Sequence, residues 1–163
     1  MRNKNKKNIG FSLIEILITV LVIIIFAGIG LANYNNFILD QKLKDEAKKL
    51  ISVLELAKKE ASSATASVAC DINNKIYKGY QVIVDNNGYR LYRCCASCDD
   101  KLSDYSFLFG IKLKSDPSTI LFRPLSSGIT ISGGNPIVLM NELNHSINIL
   151  INIAGTIEET FNW

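Results

Sequence analysis

The sequence predicts an α+β fold, a long N-terminal helix with a transmembrane half and an amphipathic half, packed on an antiparallel β head. Three observations predict it. An apolar run with one charge fills 11–32, a pattern of helical period follows, and beyond residue 70 the period falls to two with frequent turn residues. The expected organisation is a leader at 1–10, an apolar helix at 11–32, its amphipathic continuation at 33–66, and a β-rich head at 67–163.

The leader carries four cations, Arg2, Lys4, Lys6 and Lys7, and ends at Gly10-Phe11. From Phe11 to Ala32 the only charge is Glu15. A run of about 20 apolar residues spans a hydrocarbon core of about 30 Å, whereas secretory apolar regions are about 7–15 residues long. Its Ile, Leu, Val and Phe side chains contribute about −5 kcal/mol toward insertion. A central carboxylate would cost about 3 kcal/mol, and Glu15 lies near the end, so insertion prevails. No basic residue follows the run until Lys42, so the charge rule places the N-terminus in the cytoplasm and residues 33–163 outside. The expected location is the cytoplasmic (inner) membrane, crossed once, with membrane lipid as a partner. Cleavage after Gly30-Leu31-Ala32 by ordinary signal peptidase is the rival; it would release a secreted protein starting at Asn33. Gly28 and Gly30 fit close helix packing or a soft point in the helix.

Leu43, Ala47, Leu50, Leu54, Ala57 and Ala61 recur at steps of three and four, one apolar stripe. Lys42, Lys44, Lys48, Lys49, Lys58 and Lys59, with Asp45, Glu46, Glu55 and Glu60, read as the solvated face, and Glu55 and Lys59 as an i,i+4 pair. Ser62, Ser63, Thr65 and Ser67 mark the helix end, so one helix from Phe11 to about Ala64 would be roughly 80 Å long.

In the head, Tyr80, Val82 and Val84 alternate with Gln81, Ile83 and Asp85. Asn87-Gly88 before Tyr89–Tyr92 is a hairpin signal. Further strands are expected at Phe107–Leu113, Thr119–Phe122, Ile129–Ser132, Ile137–Met140 and Ile147–Ile153, punctuated by Gly128, Gly133-Gly134-Asn135-Pro136 and Asn144-His145.

Cys70, Cys94, Cys95 and Cys98 allow three disulfide connectivities. Adjacent Cα atoms lie about 3.8 Å apart and disulfides want about 5.5–6 Å, so Cys94 and Cys95 should not join. Cys70 is then tied to Cys94 or Cys95, and Cys98 to the other. The longer bridge closes a loop of about 25 residues, worth roughly 3 kcal/mol. A thiolate metal site on the Cys95-x-x-Cys98 spacing is the alternative, though a zinc ribbon shows two such knuckles; a redox-active thiol is a third. The preferred reading is a structural staple in an oxidising compartment, with no metal.

The formal charge of +3 belongs to the leader: without residues 1–10, 14 basic side chains face 15 acidic ones. No general field draws nucleic acid, which is not expected as a partner. No phosphate-cradling, dinucleotide, zinc-protease or nucleophile-elbow motif is present, and the only histidine, His145, reads as a surface loop residue. A non-enzymatic protein without cofactor is expected.

The order of basic leader, Gly10-Phe11, Glu15 and apolar run resembles the type IV prepilin signal. Leu121-Phe122-Arg123-Pro124 with Gly128-Ile129-Thr130-Ile131, and Ile147–Ile153 as final strand with Ala154-Gly155, resemble the heads of H-type pseudopilins and FimT-like minor pilins. The resemblance implies a pilin-like fold and a subunit of a type II secretion pseudopilus or a type IV pilus. It implies cleavage between Gly10 and Phe11 by a prepilin peptidase that also N-methylates Phe11. It makes Glu15 the carboxylate that meets a neighbour's N-terminal amine, with other pilin or pseudopilin subunits and an inner-membrane assembly platform as partners. DNA-binding FimT-like members carry Gly-Arg-x-Arg at the terminal glycine; here Gly155-Thr156-Ile157-Glu158-Glu159 replaces it. A DNA-uptake minor pilin and a disulfide domain unrelated to pili are the alternatives.

Overall fold

A computed structural model describes residues 12–63, 70, 76–124 and 128–162, apart from the side chains of 27–33. The chain divides into two compact units between Phe37 and Ile38. Helix α1 runs Leu13–Ser63. Its start follows from Ser12, whose carbonyl accepts the first bonds, from Glu15 N–H at 3.0 Å and Ile16 N–H at 3.2 Å.

The side chains of α1 are described as two stretches, of 14 residues (13–26) and 30 residues (34–63). Every side chain of the first is exposed. The second buries Leu43, Ala47, Leu50, Leu54, Ala57 and Ala61, each at most 1% exposed, with Val53 beside them. The stripe expected from the period is therefore the helix face that enters the core. At about 1.5–3 kcal/mol for each buried leucine, it anchors the helix to the strands.

Nine strands follow: β1 Tyr77–Asp85, β2 Gly88–Cys95, β3 Ser97–Ser106, β4 Lys112–Leu113, β5 Ser118–Phe122, β6 Ile129–Gly133, β7 Ile137–Met140, β8 Ser146–Ile151 and β9 Ile157–Asn162. They form two antiparallel sheets, one in the order β3-β2-β1-β5-β6 and one in the order β4-β7-β8-β9. Period-two burial selects the inward faces: Tyr80, Val82 and Val84 from β1, Ile120 and Phe122 from β5, Ile137 and Leu139 from β7, and Ile147, Ile149 and Ile151 from β8. These join the helix stripe in one core.

The expected architecture, one long helix packed on one β head, is corrected. Only the second stretch of α1 carries buried side chains, and the strands divide into two sheets. The physical reason lies in the pattern. Residues 13–26 carry only Glu15 and Thr19 as polar side chains and have no continuous polar face to set against an apolar one, whereas 34–63 have both. The membrane-spanning expectation is corrected as well: among the described residues, no helix is long and apolar enough to cross a membrane.

Smaller corrections concern local elements. The β1–β2 turn is Asn86-Asn87, with Gly88 already paired to Asp85. Gly88 sits at φ 148°, and a Cβ there would meet the Tyr105 carbonyl oxygen at 1.9 Å, so this glycine lets β3 close on β2. Strand β3 was not expected, because Ser-Cys-Asp-Asp-Lys has no apolar alternation; it pairs as an edge whose two faces are both largely in solvent, so no alternation is required of it. Phe107–Leu113 is a strand only at its last two residues. Ile147–Ile153 is not the final strand, since the acidic β9 pairs beside β8 from Ser146↔Asn162 to Ile151↔Ile157.

Candidate assembly surface

The first stretch of α1 is the most unusual surface of the molecule. Leu13 is 81% exposed and Phe26 71%, and the ten large aliphatic residues between them that are described as exposed lie at 42–65%. Soluble monomers rarely present so continuous an apolar surface, and one of this size marks a contact. Glu15 stands in its first turn, where a carboxylate is favoured by the helix dipole. It is exposed, and among the described residues no hydrogen bond or ion pair engages its side chain. Thr19 Oγ1 instead donates within the helix, to the Ile16 carbonyl at 2.8 Å. Ser12 and Glu15 also have the spacing of a capping box, a sequence signal for the helix start. Gly10 and Phe11 lie outside the described residues, as do any contacts of Gly28 and Gly30 through their packing.

The cysteines fall far along the chain from this surface, and they are all oxidised. Cys70 joins Cys95 with Cα atoms 5.4 Å apart, and Cys94 joins Cys98 at 4.0 Å. This is one of the two pairings left open by the sequence. The β2–β3 corner explains the choice. Cys95 pairs with Ser97 around Ala96, which takes φ 67°, and this sharp turn sets Cys94 opposite Cys98. Ala96 N–H donates to the Ile76 carbonyl at 2.8 Å, and Lys78 Nζ to the Ala96 carbonyl at 2.5 Å. Among the described residues no cluster of His, Cys, Asp and Glu could hold a metal, and thiols in disulfides are not available as thiolates.

Two polar side chains expected in solvent are not free in it: Glu46 is buried and His145 half-buried. Glu46 is 1% exposed. Its Oε1 accepts from the Tyr89 hydroxyl at 3.1 Å and its Oε2 from the Leu108 N–H at 3.4 Å. Burial, and next the Glu46 charge, push the Tyr89 phenol well above its usual range. The helical period contained the signal: position 46 lies three residues after Leu43 and four before Leu50, on the buried stripe. His145 is half-buried rather than a free surface residue. Its Nδ1 lies 2.7 Å from Asp40 Oδ1, which also accepts from Asn141 Nδ2 at 2.9 Å. Asn141 Oδ1 in turn accepts from the N–H groups of Leu143 and His145, so this cluster ties the β7–β8 turn to α1. The helix-face ion pair forms at i,i+3, Lys58 to Glu55 at 3.6 Å, instead of at Glu55 and Lys59.

At the terminal glycine, Gly155 takes φ +83° and faces Ile129 and the Lys58 side chain. Glu158 and Glu159 follow it on exposed positions of β9. No family model, no curated protein and no solved structure matches the chain.

Proposed function

We propose that the chain is a minor pilin or pseudopilin, a non-enzymatic subunit of a type II secretion pseudopilus or a type IV pilus. The observation that supports this reading is the exposed apolar helix surface with one uncommitted carboxylate, Glu15, five residues into a chain that would begin at Phe11. Packed among apolar helices of neighbouring copies, a lone carboxylate would cost several kcal/mol. An N-terminal amine from an adjacent subunit would neutralise it, and only a subunit in correct register could supply one. Glu15 is then a positioning group for assembly, and the prepilin peptidase creates its partner by freeing and methylating Phe11. The head, stapled by Cys70–Cys95 and Cys94–Cys98, is carried on the second stretch of α1 and needs no chemistry of its own.

Mass spectrometry of the protein purified from cells with the matching peptidase tests the reading. The expected N-terminus is Phe11 carrying one methyl group; an intact Met1 or a start at Asn33 overturns it. Glu15→Ala should abolish recovery of the protein in sheared filaments at unchanged cellular level. Normal incorporation of that variant would remove Glu15 from assembly.

A further inference from the structure

Three long edges and one short edge bound the two sheets: β3 and β6 in the five-stranded sheet, β9 and the two-residue β4 in the other. An open edge is a row of unpaired N–H and C=O groups, and proteins blunt such edges with charge, proline or shortness. β3 carries Asp99, Asp100, Lys101 and Asp104, and β9 carries Glu158 and Glu159. β6, Ile129-Thr130-Ile131-Ser132-Gly133, carries neither charge nor proline.

The register shows what β6 offers. Arg123 N–H donates to the Gly128 carbonyl at 3.3 Å, and Gly134 N–H to the Pro117 carbonyl at 3.2 Å. Between these points β5 and β6 run without a slip, Phe122 opposite Ile129 and Ser118 opposite Gly133. Hydrogen-bonded and open pairs alternate along antiparallel strands. Thr130 and Ser132 therefore face β5, and Ile129, Ile131 and Gly133 turn their backbone groups outward. Among the described residues, no backbone or side-chain hydrogen bond outside the sheet engages these groups.

An apolar groove adjoins this edge. Two openings share Ile129 and Ile153; one continues past Ile131 and Ile151, and the other reaches Lys58 and Arg123. The floor is thus isoleucine and one end is cationic. Arg123 is exposed and has no ion pair among the described residues, and Lys58 shares only the exposed Glu55. The cations beside β3 are, by contrast, committed locally, Arg93 to Asp100 and Lys101 to Asp104.

We infer that β6 is a docking edge, which takes an extended segment of a partner polypeptide as an added strand. The segment places alternate apolar side chains in the isoleucine groove and an acidic residue against Lys58 and Arg123. Main-chain bonds to Ile129 and Ile131 supply affinity, and the groove and its cationic end supply specificity. The residues that carry this inference are none of those in the first stretch of α1, so the inference does not rest on the filament reading, and Glu15→Ala should leave it unchanged.

The probe is a fluorescent octapeptide alternating valine and threonine and ending in two glutamates, with a lysine-ended counterpart, titrated into the full chain held in mild detergent. The acidic peptide should bind at least tenfold more tightly than the lysine peptide and slow hydrogen exchange at the Ile129 and Ile131 amides. Arg123→Glu should remove that preference without moving the thermal midpoint. Ile131→Pro should abolish binding while the fold persists, because its N–H points away from β5. Absence of binding, equal affinity for both peptides, or protection of β3 amides instead of β6 amides would overturn the inference.

Discussion

Glu46 and Tyr89 offer the sharpest test of how the helix is held on the sheets. The pair joins residues 43 positions apart through a hydroxyl-to-carboxylate bond of 3.1 Å, and both partners are at most 1% exposed. Tyr89→Phe removes the donor and leaves the ring in place, stacked on Tyr105 with centroids 5.1 Å apart and next to Phe107 at 5.9 Å. No cavity opens, so the loss is that of a bond to a charged group, about 1.5–3 kcal/mol. Glu46→Leu leaves the phenol and the Leu108 N–H unpaired together, at about 1–3 kcal/mol each, so it should cost more, about 2–6 kcal/mol. The double variant replaces both polar partners with apolar ones and should cost at least 1 kcal/mol less than the sum of the singles. For a unit the size of Ile38–Trp163, 1 kcal/mol moves the thermal midpoint by about 4 °C. Tyr89→Phe should therefore lower it by about 6–12 °C in circular dichroism melts of the full chain in mild detergent. A loss below about 0.5 kcal/mol for Tyr89→Phe, or strict additivity in the double variant, would refute the coupling.

Three further outcomes follow from the same structure. Burial, with the neighbouring Tyr80 and Glu60 next, holds the Tyr77 phenol up to about 12; Tyr80 is raised by burial and then Glu60, and Tyr89 by burial and then Glu46. A folded-state value above the unfolded value stabilises fully below about pH 10 and is lost as pH climbs through the folded value. Chemical stability should therefore decline from about pH 10 toward pH 12, and a flat profile followed by tyrosinate absorbance would contradict this. Breaking Cys70–Cys95 by serine replacement of both residues should cost about 3 kcal/mol in urea melts, against about 2 kcal/mol for Cys94–Cys98, whose loop is far shorter; the reverse order would show that loop closure does not govern them. Leu50→Ala, at a fully buried stripe position, should cost about 2–5 kcal/mol, whereas Lys48→Ala on the exposed side should stay within about 0.5 kcal/mol.

Much of this architecture was legible in the sequence because its signals are local. The stripe from Leu43 to Ala61 is a property of period, and each of its six residues is buried. The β1–β2 hairpin and the strand at Ile137–Met140 stand where alternation and turn residues put them. The leader, Gly10-Phe11 and Glu15 are likewise a local pattern, and they carry the proposal for what the chain does. The cysteines show the limit: spacing excludes one bridge and leaves two pairings, and the tight turn at Ala96 selects between them.

What tertiary structure alone decided are facts about partners distant in sequence. Glu46 is charged and sits among lysines, yet it is inside because Tyr89 and Leu108 arrive with donors. No strand was expected at β3 or β9, because an edge strand exposed on both faces needs no apolar alternation, only a neighbour to pair with. The division of the strands into two sheets, and with it the uncharged open edge of β6 beside Lys58 and Arg123, depends on pairings that no window of sequence contains. Sequence by itself determined which faces are apolar and where the chain turns, since those follow from each residue and its near neighbours. Which charges are buried and which edge stays open were decided by long-range pairing.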